Sequence, residues 1–230
     1  MAALGLVAAT PLQAARKGRA HGSHGTAKPA AAAPNAAPAV APTATAVDDY
    51  ATALAKAKAG DLSVDFKRLR RERAAAAGFA GGGWPEAKAL FGKLDADPTA
   101  ALAGAEAALA DDWLNAEAHL LADIALTRLS RKDEGAPHRA FLVAFLRSIT
   151  DGRDGRTAAT AWNAVSVPEE YFALMLMGYS PEGQALVSGE TAGGGPFDRM
   201  QVADRKSGEK GEIWFDIGAF YGKEFAPSTR

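Results

Sequence analysis

The composition of the chain changes at Asp48, and this boundary limits which part can fold. No acidic residue precedes Asp48, and residues 16–47 consist mainly of alanine, proline, glycine and threonine. Such a segment has too few large apolar side chains to bury a core, and its repeated prolines favour extended conformations. We therefore predict a semi-stiff, disordered tether over 16–47, followed by a single folded domain over 48–230.

Residues 1–15 (MAALGLVAATPLQAA) resemble the end of a secretory signal, because a short apolar stretch is followed by small residues around a cleavage position near Ala14. The positively charged beginning of such a signal is missing, so we expect the true start to lie upstream. The apolar stretch is shorter than the roughly 20 residues that span a bilayer, and no cysteine follows it as a lipid attachment point. We expect a periplasmic or secreted protein with no transmembrane span.

Composition excludes several kinds of chemistry. The 230 residues include no cysteine, which excludes disulfides, thiolate catalysis and iron–sulfur clusters. The formal net charge of -1 gives no overall attraction to nucleic acid. His21 and His24 form an H-x-x-H pair in the tether, where a disordered pair would hold a metal only weakly. We predict no cofactor, no metal, no nucleic-acid partner and a monomer.

Capping residues divide residues 48–150 into helices. Each predicted helix start precedes apolar residues at three- and four-residue spacing. These starts are Asp49, Asp65, Asp97 with Pro98, Asn115, and Pro137. The alanine-rich helices are expected to pack in antiparallel pairs, and the segment 109–119 resembles part of a tetratricopeptide unit. The match covers at most one and a half repeats, whereas a solenoid needs about three.

The pattern changes after Asp151 from helical to strand-like. We predict strands over 161–167, 184–188, 197–203 and 213–220, with a short helix from Pro168 to Gly178 and a hairpin loop over 204–212. Helices that precede strands indicate an α+β domain with a small antiparallel sheet. Its helical part is assigned to 48–150 and its β-rich part to 151–225.

Several short phrases occur in an order similar to that of a family of exported bacterial proteins, catalogued as domain of unknown function 4919. They are Tyr50, Gly60-Asp61, Val64-Asp65-Phe66, Leu69-Arg70, Ser148-Ile149, Asp154-Gly155, Ala161-Trp162, Glu169-Glu170-Tyr171, Gln184-Ala185-Leu186, Phe197-Asp198-Arg199-Met200 and Ile213-Trp214-Phe215-Asp216-Ile217. The stretches 74–77 and 81–83 depart from the family. The resemblance implies export or surface tethering, and it implies neither an activity nor a catalytic residue.

Three catalytic or binding motifs are excluded by single positions. Gly92-Lys93 lacks the earlier glycine of a phosphate-binding loop, and Leu94 replaces its Ser or Thr. Ser180 is followed by Pro181, which would remove a backbone N–H that the oxyanion hole of a serine hydrolase needs. The segment 151–154 places an arginine where a calcium loop needs its second side-chain ligand.

Glu169 and Glu170, with Tyr171, form the most enzyme-like cluster. Paired carboxylates can act as acid and base, or hold a metal together with His119 or His138. Acidic residues in the first turn of a helix also stabilise the helix dipole, and this structural interpretation is the preferred one. His119 is expected to be a hydrogen-bonded packing residue.

Two further acids are candidate contacts. Asp198 and Asp216 could face each other across the predicted hairpin, where a local salt bridge with Arg199 would relieve their repulsion. The basic run from Lys67 to Arg73 is interpreted as a solvated helix face.

Three functional hypotheses follow. The first is a non-catalytic envelope module whose helical pairs bind a protein or peptide, with Glu169, Glu170, Tyr171, Asp198, Trp214 and Asp216 as candidate contacts. The second is a hydrolase or metal-dependent enzyme that uses Glu169 and Glu170 with His119 or His138. The third is a small-molecule or glycan binder that stacks its ligand on Trp162, Tyr171 and Trp214.

Overall fold

The structure of the protein, a computed structural model, describes residues 49–77, 79, 81–188 and 195–223. The predicted signal segment (1–15) and tether (16–47), with His21 and His24, lie outside the described residues. In the described part of the chain, no helix is long and apolar enough to cross a membrane.

Helices fill the first part of the domain. They are α1 Tyr50–Lys58, α2 Phe66–Ala75, α3 Ala87–Phe91, α4 Pro98–Asp111, α5 Ala116–Arg128, α6 Ala136–Thr150 and, later in the chain, α7 Val167–Leu176. The predicted capping residues Asp49, Asp65, Asp97 and Asn115 each accept a hydrogen bond from the first turn of their helix. The short helix α3 was not predicted, because its five residues are not preceded by a side-chain cap.

Two apolar clusters share helix α5. The larger cluster joins α1, α2, α6 and α7 to the sheet, and it includes Phe66, Phe141, Phe145, Leu174, Met200 and Phe215. The smaller cluster lies between α4 and α5, where Ala101, Ala105, Ala122 and Ala125 are fully buried. Small side chains allow these two helices to approach closely, and α5 packs in turn against α6. Helix pairs are therefore present where the alanine-rich pattern predicted them.

A four-stranded sheet forms the second part, in the order β1-β4-β3-β2. Its strands are β1 Trp162–Asn163, β2 Tyr179–Val187, β3 Phe197–Asp204 and β4 Lys210–Asp216. The α+β class is confirmed. The sheet is mixed rather than wholly antiparallel, because β1 runs parallel to β4. Parallel neighbours need a long connection, which α7, β2 and β3 provide here.

Three strand predictions had wrong boundaries, and one of them is the predicted strand 213–220, which is β4 Lys210–Asp216. The predicted strand 161–167 contains only the two residues of β1, since Ser166 already caps α7. The predicted strand 184–188 begins earlier, at Tyr179. β2 includes Pro181, and it is an edge strand whose register shifts between Pro181 and Gly183. An edge strand with a bulge tolerates proline because the missing N–H needs no partner.

Candidate functional site

Arg70 lies at the centre of a buried polar cluster between α2, α6, β1 and α7. Its side chain is 0% exposed. Its guanidinium donates two hydrogen bonds to the Glu169 carboxylate, one to the Asn163 carbonyl (2.7 Å) and one to Ser148 Oγ (3.0 Å). The interpretation of the whole run from Lys67 to Arg73 as a solvated face is therefore wrong for Arg70, which points inward with Phe66 and Leu69.

Glu169 is the partner that compensates the buried charge of Arg70. One of its carboxylate oxygens also accepts the backbone N–H of Val165 at 3.1 Å. A bidentate arginine–carboxylate pair fixes orientation as well as charge. Glu169 thus lies in the first turn of α7, as the sequence predicted, and its charge also holds α2 against α7.

Glu170 and Asp198 form a second buried cluster, between α7 and β3. Glu170 is 0% exposed, and Asp198 is 5% exposed. Burial, the neighbouring Asp198 carboxylate and hydrogen bonding to it raise the pKa of Glu170 to about 9. If both groups were ionised, the Glu170 oxygens would have no donor. At neutral pH Glu170 therefore keeps its proton, which removes the repulsion between the two carboxyl groups.

A short hydrogen-bond chain links Asp198 to the surface. Gln184 Nε2 donates to Asp198 Oδ2 at 2.6 Å, and the Tyr171 hydroxyl donates to Gln184 Oε1 at 3.2 Å. Tyr171 is 41% exposed, whereas the two acids behind it are enclosed. Three predicted contact residues, Glu170, Tyr171 and Asp198, therefore do lie together, but only Tyr171 is accessible.

Asp216 and Trp214 lie apart from this chain. The register pairs Asp198 with Phe215 and Asp216 with Phe197, so the expected opposition of Asp198 and Asp216 is wrong. Within the described residues, neither acid forms a salt bridge with a basic side chain. Asp216 instead accepts the backbone N–H of Gly218.

The predicted role of Arg199 between the two acids is also wrong. Its guanidinium carbon lies 5.8 Å from the centre of the Trp214 ring, and its Nε lies 3.7 Å from Glu212. These contacts direct Arg199 toward Trp214 and Glu212 rather than toward Asp198.

The two histidines of the domain form a separate cluster. His119 Nε2 lies 2.9 Å from the Trp113 carbonyl, and its Nδ1 lies 2.9 Å from His138 Nδ1. Because a carbonyl only accepts, His119 carries its proton on Nε2, and its Nδ1 accepts from His138. The His119 ring also stacks on Phe141 with 3.7 Å between centroids. Burial lowers the pKa of His119 to about 3, so the ring is neutral.

This arrangement does not unite the imidazoles with Glu169 and Glu170. Each His119 nitrogen has a partner outside the carboxylate clusters. Among the described residues, no group of three or more His, Asp or Glu side chains could hold a metal ion.

The aromatic candidates also lack a shared surface. Trp162 is buried beside Phe215, and its indole N–H donates to the Arg153 carbonyl at 3.0 Å. Trp214 is half-buried next to Phe197, and Tyr171 lies on the far end of the Gln184 chain. A ligand could not stack on all three rings.

An open groove of about 690 Å³ lies between α2, the loop before it, and α6. Its apolar wall consists of Leu62, Val64, Phe66, Ala140, Val143 and Ala144. Lys67, Arg147, Ser148 and Asp151 line one end of it. The sequence contained a signal for this groove that the helix assignment did not use. Ala140, Val143, Ala144 and Arg147 recur at three- and four-residue spacing and form a second stripe on α6, outside the stripe that enters the core.

The described part of the domain thus combines enclosed polar clusters with an open groove of about 690 Å³. The enclosed groups can hold charge and protons but cannot meet a substrate, whereas the groove can receive one. In comparisons with known proteins, no family model matches the chain, and no curated protein or solved structure matches it significantly.

Proposed function

We propose that the chain is a non-catalytic interaction module of the bacterial envelope, and that it binds a polypeptide segment in the groove between α2 and α6. The groove carries this proposal. It is lined by the half-buried side chains of Leu62, Val64, Val143 and Ala144, by the exposed Ala140 and by the buried ring of Phe66, over about 690 Å³. Contiguous apolar surface of this kind marks interaction sites in soluble domains.

The burial of the carboxylates supports a binding role over an enzymatic one. A catalytic acid or base must come within hydrogen-bond reach of its substrate. Glu170 is fully enclosed, and Glu169 is neutralised by Arg70. Both residues stabilise the fold, so their carboxyl groups act inside the molecule.

The envelope location rests on the signal-like segment 1–15 and on the resemblance to the exported family. The tether of 16–47 would separate the domain from its point of attachment. Membership of that family remains a prediction, and export is tested by locating the chain in fractionated cells of its source.

The binding role is tested with a displayed library of random 12-residue peptides, selected on the full chain. We expect enriched peptides to lose at least ten-fold in affinity for Ala140→Trp, because the indole fills the groove. Ala103→Trp is the matched control, since Ala103 is an exposed alanine on α4 outside the groove. The absence of enriched peptides, or equal binding to Ala140→Trp and wild type, would overturn the proposal.

A further inference from the structure

The two edges of the sheet differ in whether their backbone groups have partners. At one edge, β1 is two residues long, and its Asn163 carbonyl accepts a hydrogen bond from the buried Arg70 at 2.7 Å. At the other edge, β2 is nine residues long and lies outside β3. Within the described residues, no element other than β3 forms a hydrogen bond with the backbone of residues 183–187. A free strand edge of this kind is a template for the addition of another β-strand.

The first half of β2 carries the features that protect a strand edge from such pairing. Pro181 has no backbone N–H, and the register shifts between Pro181 and Gly183. The charged side chain of Glu182 lies 3.0 Å from Lys210. Natural proteins use proline, bulges and charges to prevent the addition of strands. The second half, residues 183–187, contains no proline, no charged residue and no register shift, so it is unprotected.

An exposed apolar surface lies beside this segment, between α7 and β2. The two elements pack together, and they run in opposite directions because α7 turns directly into β2 at Gly178. The Tyr171 hydroxyl donates to Gln184, so these residues face each other. Four residues along a helix and two along a strand both cover about 6 Å, which places Val167 opposite Leu186. Three of the five exposed large apolar side chains among the described residues therefore lie on this surface: Val167, Tyr171 and Leu186.

The charges around this edge favour a second copy of the chain as its partner. Residues 183–187 and the neighbouring Val167 and Tyr171 carry no charge, so two copies meet here without like-charge repulsion. The charged residue of β2, Glu182, lies outside the segment and is already paired with Lys210. Antiparallel pairing about a two-fold axis places the segment against its own twin and leaves neither edge free.

Two other occupants fit this edge less well. A helix uses its backbone groups internally and would leave the edge of β2 without partners. A strongly charged strand from another protein would find no opposite charge along residues 183–187. The occupant that the edge requires is an uncharged strand with a free edge of its own, and the chain itself supplies one.

We infer that the chain forms a symmetric dimer in which residues 183–187 of two copies pair as antiparallel strands. The pairing joins the two four-stranded sheets into one continuous sheet. Gln184 and Leu186 are two residues apart and share the side of β2 that faces α7. The two Leu186 side chains are therefore brought together on the side of the exposed Val167 and Tyr171, and their burial adds to the backbone hydrogen bonds. This interface is separate from the groove, and the proposal replaces the monomer expected from the sequence.

Sedimentation equilibrium of the full chain over a dilution series tests the inference, and we expect a reversible dimer. Leu186→Lys should raise the dissociation constant by about ten-fold or more, because the two-fold axis introduces two charges into one interface. Val167→Lys should act in the same direction from the helix side. Ala107→Lys is the control, because Ala107 is exposed on α4, which packs against α3 and α5. It should leave the dissociation constant unchanged.

A single introduced thiol gives a second measurement, because the chain has no cysteine. Ala185→Cys should form a covalent dimer with a short bis-maleimide, and Ala107→Cys should not. A chain that stays monomeric throughout the series overturns the inference, and so does a dimer that both lysine variants leave intact. If a monomeric chain instead binds library peptides that Leu186→Lys no longer binds, the edge takes a strand of another protein and the inference is also wrong.

Discussion

Glu170 of α7 and Asp198 of β3 bring two carboxyl groups together in a part of the domain that excludes water, and neither oxygen of Glu170 has a donor among the described residues. Two ionised carboxylates would repel each other there without compensation. Glu170 keeps its proton in the folded state, and this removes the repulsion. Loss of this proton at high pH, or replacement of Glu170, is therefore expected to change the free energy of unfolding.

Stability should fall as the pH rises because of Glu170. Its pKa is about 9 in the folded state against an ordinary value of 4.5, so between these values the folded chain holds one proton more than the unfolded chain. Its contribution is complete below pH 4.5 and is lost as the pH approaches 9, at up to about 1.4 kcal/mol per pH unit. Glu170→Gln removes the ionisable group at this position and should flatten this dependence.

Urea unfolding at pH 5, 7 and 9 measures this effect. The control variant is Glu209→Gln, because Glu209 is exposed in the hairpin turn and has the same change in chemistry. If Glu170→Gln and wild type lose stability in parallel between pH 5 and 9, Glu170 does not keep its proton in the folded state.

Removing Arg70 should be among the most damaging single substitutions in the domain. Arg70→Met leaves the Glu169 carboxylate buried without its cation, which costs about 3–5 kcal/mol of unfolding free energy in such pairs. Arg70→Met with Glu169→Leu removes both charges and should be less destabilised than the sum of the single variants. Chemical unfolding of the four proteins measures the coupling.

The exposed variant Arg131→Met is the comparison for this cycle. Arg131 pairs with Glu134 at 2.7 Å, but the two side chains are 47% and 57% exposed. Exposed pairs contribute little, so this variant should unfold close to wild type. Strict additivity of the Arg70 and Glu169 substitutions would contradict the description of the pair as a mutually dependent unit.

An element is easy to predict from the sequence when the residues that determine it lie close together along the chain. Asp65 and Asn115 cap their helices through contacts three residues away, so the sequence alone indicated where α2 and α5 begin. The Arg70–Glu169 pair joins residues 99 positions apart, and no local pattern distinguishes this arginine from its exposed neighbours. A first-turn acid on α7 satisfies the same local rules whether it faces solvent or the core.

The same reasoning explains which part of the candidate site was found. The sequence indicated Glu170 and Tyr171 as polar residues on a short helix, and Asp198 as an acid in a strand. The hydrogen bonds through Gln184 that connect Tyr171 with Asp198 depend on the pairing of β2 with β3. The groove was missed for another reason. Its residues on α6 lie beside the core-facing stripe, so the two stripes can be separated only when the position of α2 is known.

His119 should remain neutral far into the acid range. Burial lowers its pKa from 6.5 to about 3, so below pH 6.5 the unfolded chain binds a proton that the folded chain does not. Its contribution to stability is therefore complete above pH 6.5 and is lost as the pH falls toward 3. Nitrogen-15 NMR of the imidazoles should find His119 neutral and protonated on Nε2 at pH 5, and His119→Phe should reduce the loss of stability on acidification.

His138 supplies an internal reference for that measurement. Its pKa is also lowered by burial, but its ring is only half-buried and has fewer fixed contacts. We expect its Nδ1 to carry a proton, since that proton is donated to His119. A His119 resonance that titrates near pH 6.5, or that reports a proton on Nδ1, would contradict the hydrogen-bond assignment.

Gly155→Ala should destabilise the junction between the helices and the sheet. The loss should be larger than the cost of placing an alanine in a left-handed backbone conformation. Gly155 has φ +68, and a Cβ there would lie 2.8 Å from the indole of Trp162. The ring cannot move aside freely, because its N–H donates to the Arg153 carbonyl. Gly152 has φ +71 with nothing within 4 Å of its would-be Cβ, so Gly152→Ala measures the backbone cost alone. That cost is about 1–2 kcal/mol.

We expect Gly155→Ala to lower the free energy of unfolding by about 1–3 kcal/mol more than Gly152→Ala does, which is typical of overpacking in a core. The excess arises for two reasons. The displaced Trp162 is also paired with Phe215 across β1 and β4. In addition, the Gly155 carbonyl accepts the backbone N–H of Trp214 at 2.7 Å. Urea unfolding followed by tryptophan fluorescence compares the two variants. Equal losses would mean that the Trp162 ring can relax, and that the close approach of Gly155 to the indole does not hold β1 in place.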